Sequence, residues 1–213
     1  MKSKKMMVYE QLKEKILTDL LKPLDYLNEK KLAQELKTSK TPVREALQRL
    51  EKEGFVENIP TKGYFVARIS VHDIREIYEL REIVECSAAR VAALNADRDK
   101  IKYESLEIGS PELIDNILET NERIHNTIIE SLYNRRLVAI YEGLQDHVKR
   151  LRMHFVSQYK KSRIEKSILE HNEILKAIMA KDPSRAEEAM RTHIRNAMEH
   201  LKEITYPKSF EAE

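Results

Sequence analysis

The chain has 213 residues, 41% apolar and 35% charged, enough for two small domains with packed cores and too polar for a membrane protein. Four glycines and no tryptophan, beside abundant Glu, Lys, Leu, Ala and Ile, point to a mostly α chain and exclude glycine-rich phosphate loops and Rossmann-type dinucleotide sites. The formal charge of +2 hides an asymmetry, with 15 Lys and Arg against 10 Asp and Glu up to Ser70 and 23 against 26 beyond it, so a basic first third suited to a polyanion precedes an acidic body.

Val8, Leu12, Ile16 and Leu20 recur every four residues and predict a helix over about 6–20, stopped by Pro23. Asn28 or Glu29 opens a short helix with Leu32, Ala33 and Leu36 inward. A turn through Lys37-Thr38-Ser39 leads into a third helix carrying Val43, Ala46, Leu47 and Leu50, closed by Gly54. Two short helices at that spacing form a helix-turn-helix. Residues 55–59 and 64–69 alternate in β-rich types around Pro60-Thr61-Lys62-Gly63 and predict a hairpin. Residues 1–70 are therefore expected to form a winged helix-turn-helix with a two-stranded β wing.

Beyond Ser70 the pattern is helical only. Helices are expected over about 70–95, with Ile74, Ile77, Leu80, Ile83, Val84 and Val91 as the core stripe, and over about 98–108. Further helices are expected over 111–133 behind a Ser110-Pro111 cap, 134–159 behind Asn134, 162–180 behind Ser162 and 183–205 behind Asp182. Six helices across 71–213 read as an antiparallel bundle.

The third helix opens Ser39-Lys40-Thr41-Pro42-Val43-Arg44, placing Ser39, Lys40, Thr41 and Arg44 on the exposed side of its first turn. Hydroxyls and cations there suit phosphates and guanine edges in a DNA major groove. Lys30, at the start of the second helix, and Lys62-Gly63, at the wing tip, stand where a flanking phosphate or a minor groove is within reach. Gly63 lets the wing approach the DNA backbone closely. The alternative for Arg44 is an ion pair with a glutamate on a neighbouring turn.

In the second half, Asn121 and His125 are one helical turn apart, and His171 and His193 lie on the last two helices, which an up-down bundle brings alongside. Together they form an N/O donor set for a divalent transition metal, zinc before nickel or manganese. A lone helical histidine has a plainer reading as a hydrogen-bonded surface residue. His147 and His154 share one helix face without an assigned role, and Tyr78 suits either core or pocket wall.

The run Thr41-Pro42-Val43-Arg44-Glu45-Ala46-Leu47 with Arg49-Leu50, Glu53-Gly54 and the Gly63 wing resembles the GntR family of bacterial transcription regulators. The resemblance implies that Lys30, Ser39, Lys40, Thr41, Arg44 and Gly63 stand at DNA-contact positions, Lys40 replacing a more usual arginine and lacking its planar fork. Leu80-Arg81-Glu82-Ile83-Val84-Glu85 with Ala88-Ala89, Ile124-His125, Tyr133-Asn134, Glu170-His171-Asn172-Glu173-Ile174 and Ala189-Met190-Arg191-Thr192-His193 resemble the FCD effector domain of the FadR subfamily, in its six-helix, VanR-like form. Metal-binding members use an Asp and three His. The histidines fall at His125, His171 and His193, and the Asp position holds Asn121, a weaker neutral ligand. Arg81, at a position that points into the cavity in the family, would fork an effector carboxylate, or else pair with Glu85 one turn on. Asn134 would touch the effector or metal water, or simply cap its helix.

The expectation is a ligand-responsive DNA-binding regulator, acting as a repressor and homodimer on a palindromic operator. Its winged domain spans 1–70 and its effector and dimerisation domain 71–213, with a small carboxylate as effector and a metal not needed for DNA binding. The rival is a metal-dependent hydrolase on the same histidines, which lacks a general base beyond Glu122 and leaves the basic first domain unexplained. A structural metalloprotein is the third reading. The single Cys86 and the absence of a long apolar run lead to the expectation of a cytoplasmic chain that neither enters nor crosses a membrane.

Overall fold

The computed structural model describes residues 3–95 and 114–205, the side chains of 114–120 excepted. The helix expected at about 98–108 and the Ser110-Pro111 cap lie outside the described residues. Contacts divide the chain into two units, Met1–Ser70 with Asp146–Val156, and Val71–Gln145 with Ser157–Glu213.

In the first unit, α1 (Lys4–Leu17) begins where the Ser3 hydroxyl accepts from the Met6 amide. It ends earlier than the apolar period suggests, because Asp19 takes a left-handed φ of 59° and Leu20 turns outward, 74% exposed. The N-cap of α2 (Glu29–Glu35) is Asn28, whose side chain accepts from the Lys31 amide at 3.0 Å. A short turn leads to α3 (Lys40–Lys52). Gly54, at φ 78°, is the left-handed residue that closes α3. β1 (Val56–Ile59) then pairs antiparallel with β2 (Gly63–Val66), in a register of Val56 opposite Val66 and Ile59 opposite Gly63. An isolated bridge from Tyr26 to Phe65 extends this sheet. β2 stops short of the expected residue 69, since the Ala67 carbonyl is taken by the Arg150 guanidinium. The helices close on Leu12, Val43, Leu47 and Leu50, all without exposed surface, and each such side chain contributes about 1.5–3 kcal/mol of burial.

The stretch Asp146–Val156, which the sequence reading placed with the bundle, clusters with this first unit. Lys13 pairs with Asp146 at 2.7 Å, His147 stacks on Phe55 with ring centroids 4.4 Å apart, and His154 Nδ1 lies 2.8 Å from Asp19 Oδ1. These contacts account for the two histidines that carried no role in the sequence.

The second unit holds α4 (Val71–Asn95), α5 (Ile114–Glu130), the first half of α6 (Arg135–Phe155), α7 (Lys161–Met179) and α8 (Pro183–Thr205). A single 3-10 turn (Val156–Gln158) follows α6. α5 stops at Glu130, and Tyr133 turns the chain at φ 52°. Ser162 lies inside α7, whose N-cap position is Lys160, while Asp182 caps α8 by accepting from the Arg185 amide. α4 packs chiefly on α8, and α8 on α7. The buried face of α4 explains that closeness: Ala88, Ala89, Ala92 and Ala93 let a neighbouring backbone approach.

That face corrects the expected core stripe. Ile74 is buried as expected, but Leu80 and Ile83 are 53% and 68% exposed, and the inward positions are Tyr78, Arg81, Glu85 and Cys86. The alanines and an internally satisfied charge pair fill the core side, leaving larger apolar side chains outside. Among the described residues no helix is long and apolar enough to cross a membrane.

Candidate nucleic-acid interface and metal centre

The first turn of α3, the start of α2 and the wing enclose an open groove of about 500 Å³. Of the residues marked in the sequence, Lys30, Lys40, Arg44 and Gly63 line it. Ser39 and Thr41 are exposed beside it on α3, and Lys62 is exposed in the wing turn. Ser39 occupies the N-cap position without a side-chain capping bond. Gly63 has a second reason to be glycine besides close approach to DNA. Its φ is 96°, and a Cβ there would lie 3.2 Å from the Tyr26 ring.

Arg44 is paired in this structure, though not along its own helix. Its Nε and Nη2 donate to the two carboxylate oxygens of Glu29 at 3.0 and 2.9 Å. Hydrogen bonding from Arg44 holds the Glu29 carboxyl below the usual carboxylate range. Glu29, Asn58, Thr61 and Tyr64 also line the groove and were not marked in the sequence. Asn58 and Thr61 sit in the wing region that already carried Lys62, so a wing signal existed for them. Glu29 read only as the start of a helix.

In the second unit, His125 on α5, His171 on α7 and His193 on α8 bring one ring nitrogen each to within 4.8 Å of the others. All three are buried. Their orientation is set from behind. His125 Nδ1 lies 2.6 Å from Glu85 Oε2, His193 Nδ1 lies 2.9 Å from Glu170 Oε2, and His171 Nδ1 lies 2.7 Å from the Ser167 carbonyl. The acceptors beside His171 and His193 favour the proton on Nδ1 of those two rings, which leaves their Nε2 atoms as lone-pair donors; His125 Nε2 also lies 3.4 Å from Arg81 Nη2. Burial, with His125 and Arg81 beside it, holds His193 well below the ordinary histidine value, which keeps that ring neutral at pH 7. The Nε2 atoms of His125 and His171 are 3.1 Å apart. That separation fits a hydrogen bond if one ring carries its proton on Nε2, and two rings sharing one ion if neither does. Two imidazoles on one zinc ion, with bonds of about 2.0–2.1 Å, sit about 3 Å apart.

The two carboxylates behind the rings belong to matching relays. Glu85 accepts from Arg81 Nε at 2.7 Å and from Nη2 at 3.2 Å; Glu170 accepts from Arg163 Nη2 at 3.1 Å and from Asn196 Nδ2 at 2.8 Å. Arg81 is therefore both buried, as the resemblance implied, and paired with Glu85, as the alternative had it. Burial pushes the Glu85 carboxyl up, but Arg81 and His125 outweigh this and hold it well below the usual carboxylate range. Arg81 Nη1, Asn121 Oδ1 and His193 Nε2 are buried without a hydrogen-bond partner. Unpartnered buried atoms of this kind suit a bound ion and a ligand, since buried polar groups are otherwise satisfied. Asn134 is not brought to the cluster. It is exposed, and its Oδ1 accepts from the Arg136 and Leu137 amides as the cap of α6.

Residues 4–66 match the family described as bacterial regulatory proteins, gntR family, and residues 76–196 match the FCD domain. The chain belongs to the GntR family. It is 26% identical to the uncharacterized HTH-type transcriptional regulator YdhC of Bacillus subtilis, over 92% of this chain and 90% of that one. It is 25% identical to the HTH-type transcriptional repressor RspR of Escherichia coli, over 95% and 90%. Among solved structures, E. coli McbR/YncC shares the fold at a TM-score of 0.72 and 22% identity, over 97% of this chain and 100% of that one. As a GntR family member with an FCD domain, the chain is a transcription regulator and not an enzyme, so the hydrolase reading of the histidines lapses.

Proposed function

We infer that this GntR family regulator binds a double-stranded operator through α3 and the wing, as a homodimer, and is released by a small carboxylate bound beside a divalent metal in the FCD domain. The observation that carries the effector half is the convergence of three buried imidazoles, with His171 and His193 held at Nδ1 so that their Nε2 atoms turn inward. His125, His171 and His193 would hold zinc, or nickel or manganese, with Asn121 as a neutral fourth donor. When bound, the ion supplies a positive anchor for an anionic ligand. Arg81 keeps one guanidinium nitrogen, Nη1, unpartnered, and that nitrogen can donate to one carboxylate oxygen while Glu85 holds the rest of the fork. Because Glu85 already neutralises Arg81, the arginine alone supplies little net charge, and the preference for anions rests on the ion.

Support for the homodimer comes from α4, where Leu80, Ile83 and Leu94 are each more than half exposed along the outer side of one helix and Val91 is 38% exposed. A palindromic operator requires two winged domains, since one small module makes too few contacts for selective binding. Repression is the direction favoured by the similarity to RspR. The winged unit makes the DNA contacts with its own residues, so the metal is not needed for them.

The experiment is release from DNA. Wild-type protein bound to fragments of its own upstream region is titrated with small mono-, di- and hydroxy-carboxylates, in parallel with His171→Ala/His193→Ala. The expected result is carboxylate-dependent release of wild type only, with both proteins shifting the DNA in the absence of ligand. Equal release of both would remove the ion-anchored site. Loss of DNA binding in the folded double variant would remove the separation of functions.

A further inference from the structure

The DNA-facing groove is cationic, with Lys30, Lys40 and Arg44 on its walls, and among the described residues lining it Glu29 is the one acid. A carboxylate there opposes phosphates. The pair it forms with Arg44 is half-exposed, with side-chain exposures of 22% for Glu29 and 59% for Arg44, and pairs reached by solvent add little to stability. Its geometry, however, is bidentate, occupying the Nε and Nη2 positions of the guanidinium.

Resting on the DNA-binding reading above, we propose that Glu29 is a specificity-determining positioning residue, which keeps its grip on Arg44 in the complex so that the arginine meets a guanine end-on. With the Nε side held by Glu29, the far edge of the guanidinium, formed by Nη1 and the remaining Nη2 proton, is left for the O6 and N7 acceptors of guanine. The clamp does two things at once. It fixes the plane of the fork, and it balances the arginine charge locally, so that Arg44 is drawn less to whichever phosphate is nearest. Lys40 cannot supply this reading, because an ammonium has no planar fork. Arg44 thus becomes a base reader, and Lys30, Lys40 and Lys62 are left as the sequence-independent cations of the same surface.

The test selects binding sites from a duplex library with a randomised core, using wild type, Glu29→Gln and Arg44→Ala. Each guanine of the enriched site is then replaced in turn by 7-deazaguanine, which keeps the base pair and removes the N7 acceptor. For wild type, one replacement in each half-site is expected to weaken binding about tenfold or more. For Glu29→Gln the same replacement is expected to matter less than threefold, while binding to scrambled duplex is unchanged or tighter because an acid has left the groove. Glu29→Gln/Arg44→Ala should discriminate no worse than Arg44→Ala alone. Urea midpoints of the variants separate a folding defect from a reading defect, and Glu29→Ala repeats the measurement with no hydrogen-bonding side chain. A folded Glu29→Gln protein that selects the same site with wild-type discrimination overturns the proposal, as does a uniform loss on every duplex that tracks a lowered midpoint. If wild type enriches no site at all, the DNA-binding reading falls and the proposal with it.

Discussion

Replacing Glu85 by glutamine tests the internal relay that orients the histidine centre. Arg81 has no exposed surface and the Glu85 side chain is 1% exposed, so Glu85→Gln leaves a guanidinium buried without its counter-charge. Removing one partner of a buried pair costs about 3–5 kcal/mol, a large fraction of the roughly 5–15 kcal/mol that stabilises a typical domain. Glu170→Gln is the internal control. Its partner Arg163 is 13% exposed and Glu170 itself 9%, so water compensates part of the loss and the cost should be nearer 1–2 kcal/mol after that discount. Arg81→Met/Glu85→Met removes both charges and should recover most of the stability lost by Glu85→Gln, because well-packed apolar replacements of buried pairs are close to neutral. Urea unfolding followed by far-UV circular dichroism reads all four proteins. The reasoning fails if Glu85→Gln costs less than about 1 kcal/mol, the range of an exposed pair, or if the double variant is no more stable than Glu85→Gln.

Gly63→Ala should destabilise the winged unit by about 1–3 kcal/mol, since φ 96° and the Tyr26 ring both oppose a Cβ; thermal unfolding checks this, and Tyr26→Ala in the same chain should rescue little of it, because the backbone strain persists. Lys62→Ala should weaken binding to all duplexes alike and lower the slope of log affinity against log salt by about one unit, whereas a loss confined to one sequence would move Lys62 from phosphate to base. The third prediction concerns pH. Burial, with Arg150 adding to it and Asp146 opposing, lowers the His147 pKa, so the folded state binds fewer protons than the unfolded one. Stability of the first unit is therefore fully present above the unfolded histidine value of about 6.5 and falls as the pH drops below it. His147→Phe, which keeps the stack on Phe55, should flatten that fall in urea midpoints measured from pH 8 to 5, and an unchanged slope would assign it to other groups.

The winged unit was legible in the sequence because its helices obey one rule, apolar residues inward at helical spacing, and Val43, Ala46, Leu47 and Leu50 are buried as that rule requires. Helix ends were less legible in both units, since Asp19 in the first and Tyr133 in the second take left-handed backbone that neither residue type announces. On α4 the rule misled. A charged pair at i and i+4 reads as a solvated surface bridge, yet Arg81 and Glu85 satisfy each other well enough to be buried, and the apolar stripe beside them faces outward. The histidines were found by type and family resemblance, but the carboxylates behind them were not marked as their holders, because Glu170 belongs to His193 on a different helix, 23 positions away. Glu29 and Arg44, 15 positions apart on separate helices, were hidden for the same reason. Contacts across helices have no period.

The account turns most on the histidine centre, and a competition titration of metal-stripped protein with zinc against a chromophoric chelator addresses it directly. Wild type should take up one equivalent per chain, Glu85→Gln should bind about 10- to 100-fold more weakly through loss of the group that orients His125, and His171→Ala/His193→Ala should not compete at all. Failure of the wild-type chain to take up zinc, nickel or manganese stoichiometrically, or undiminished uptake by the double-histidine variant, would contradict the claim.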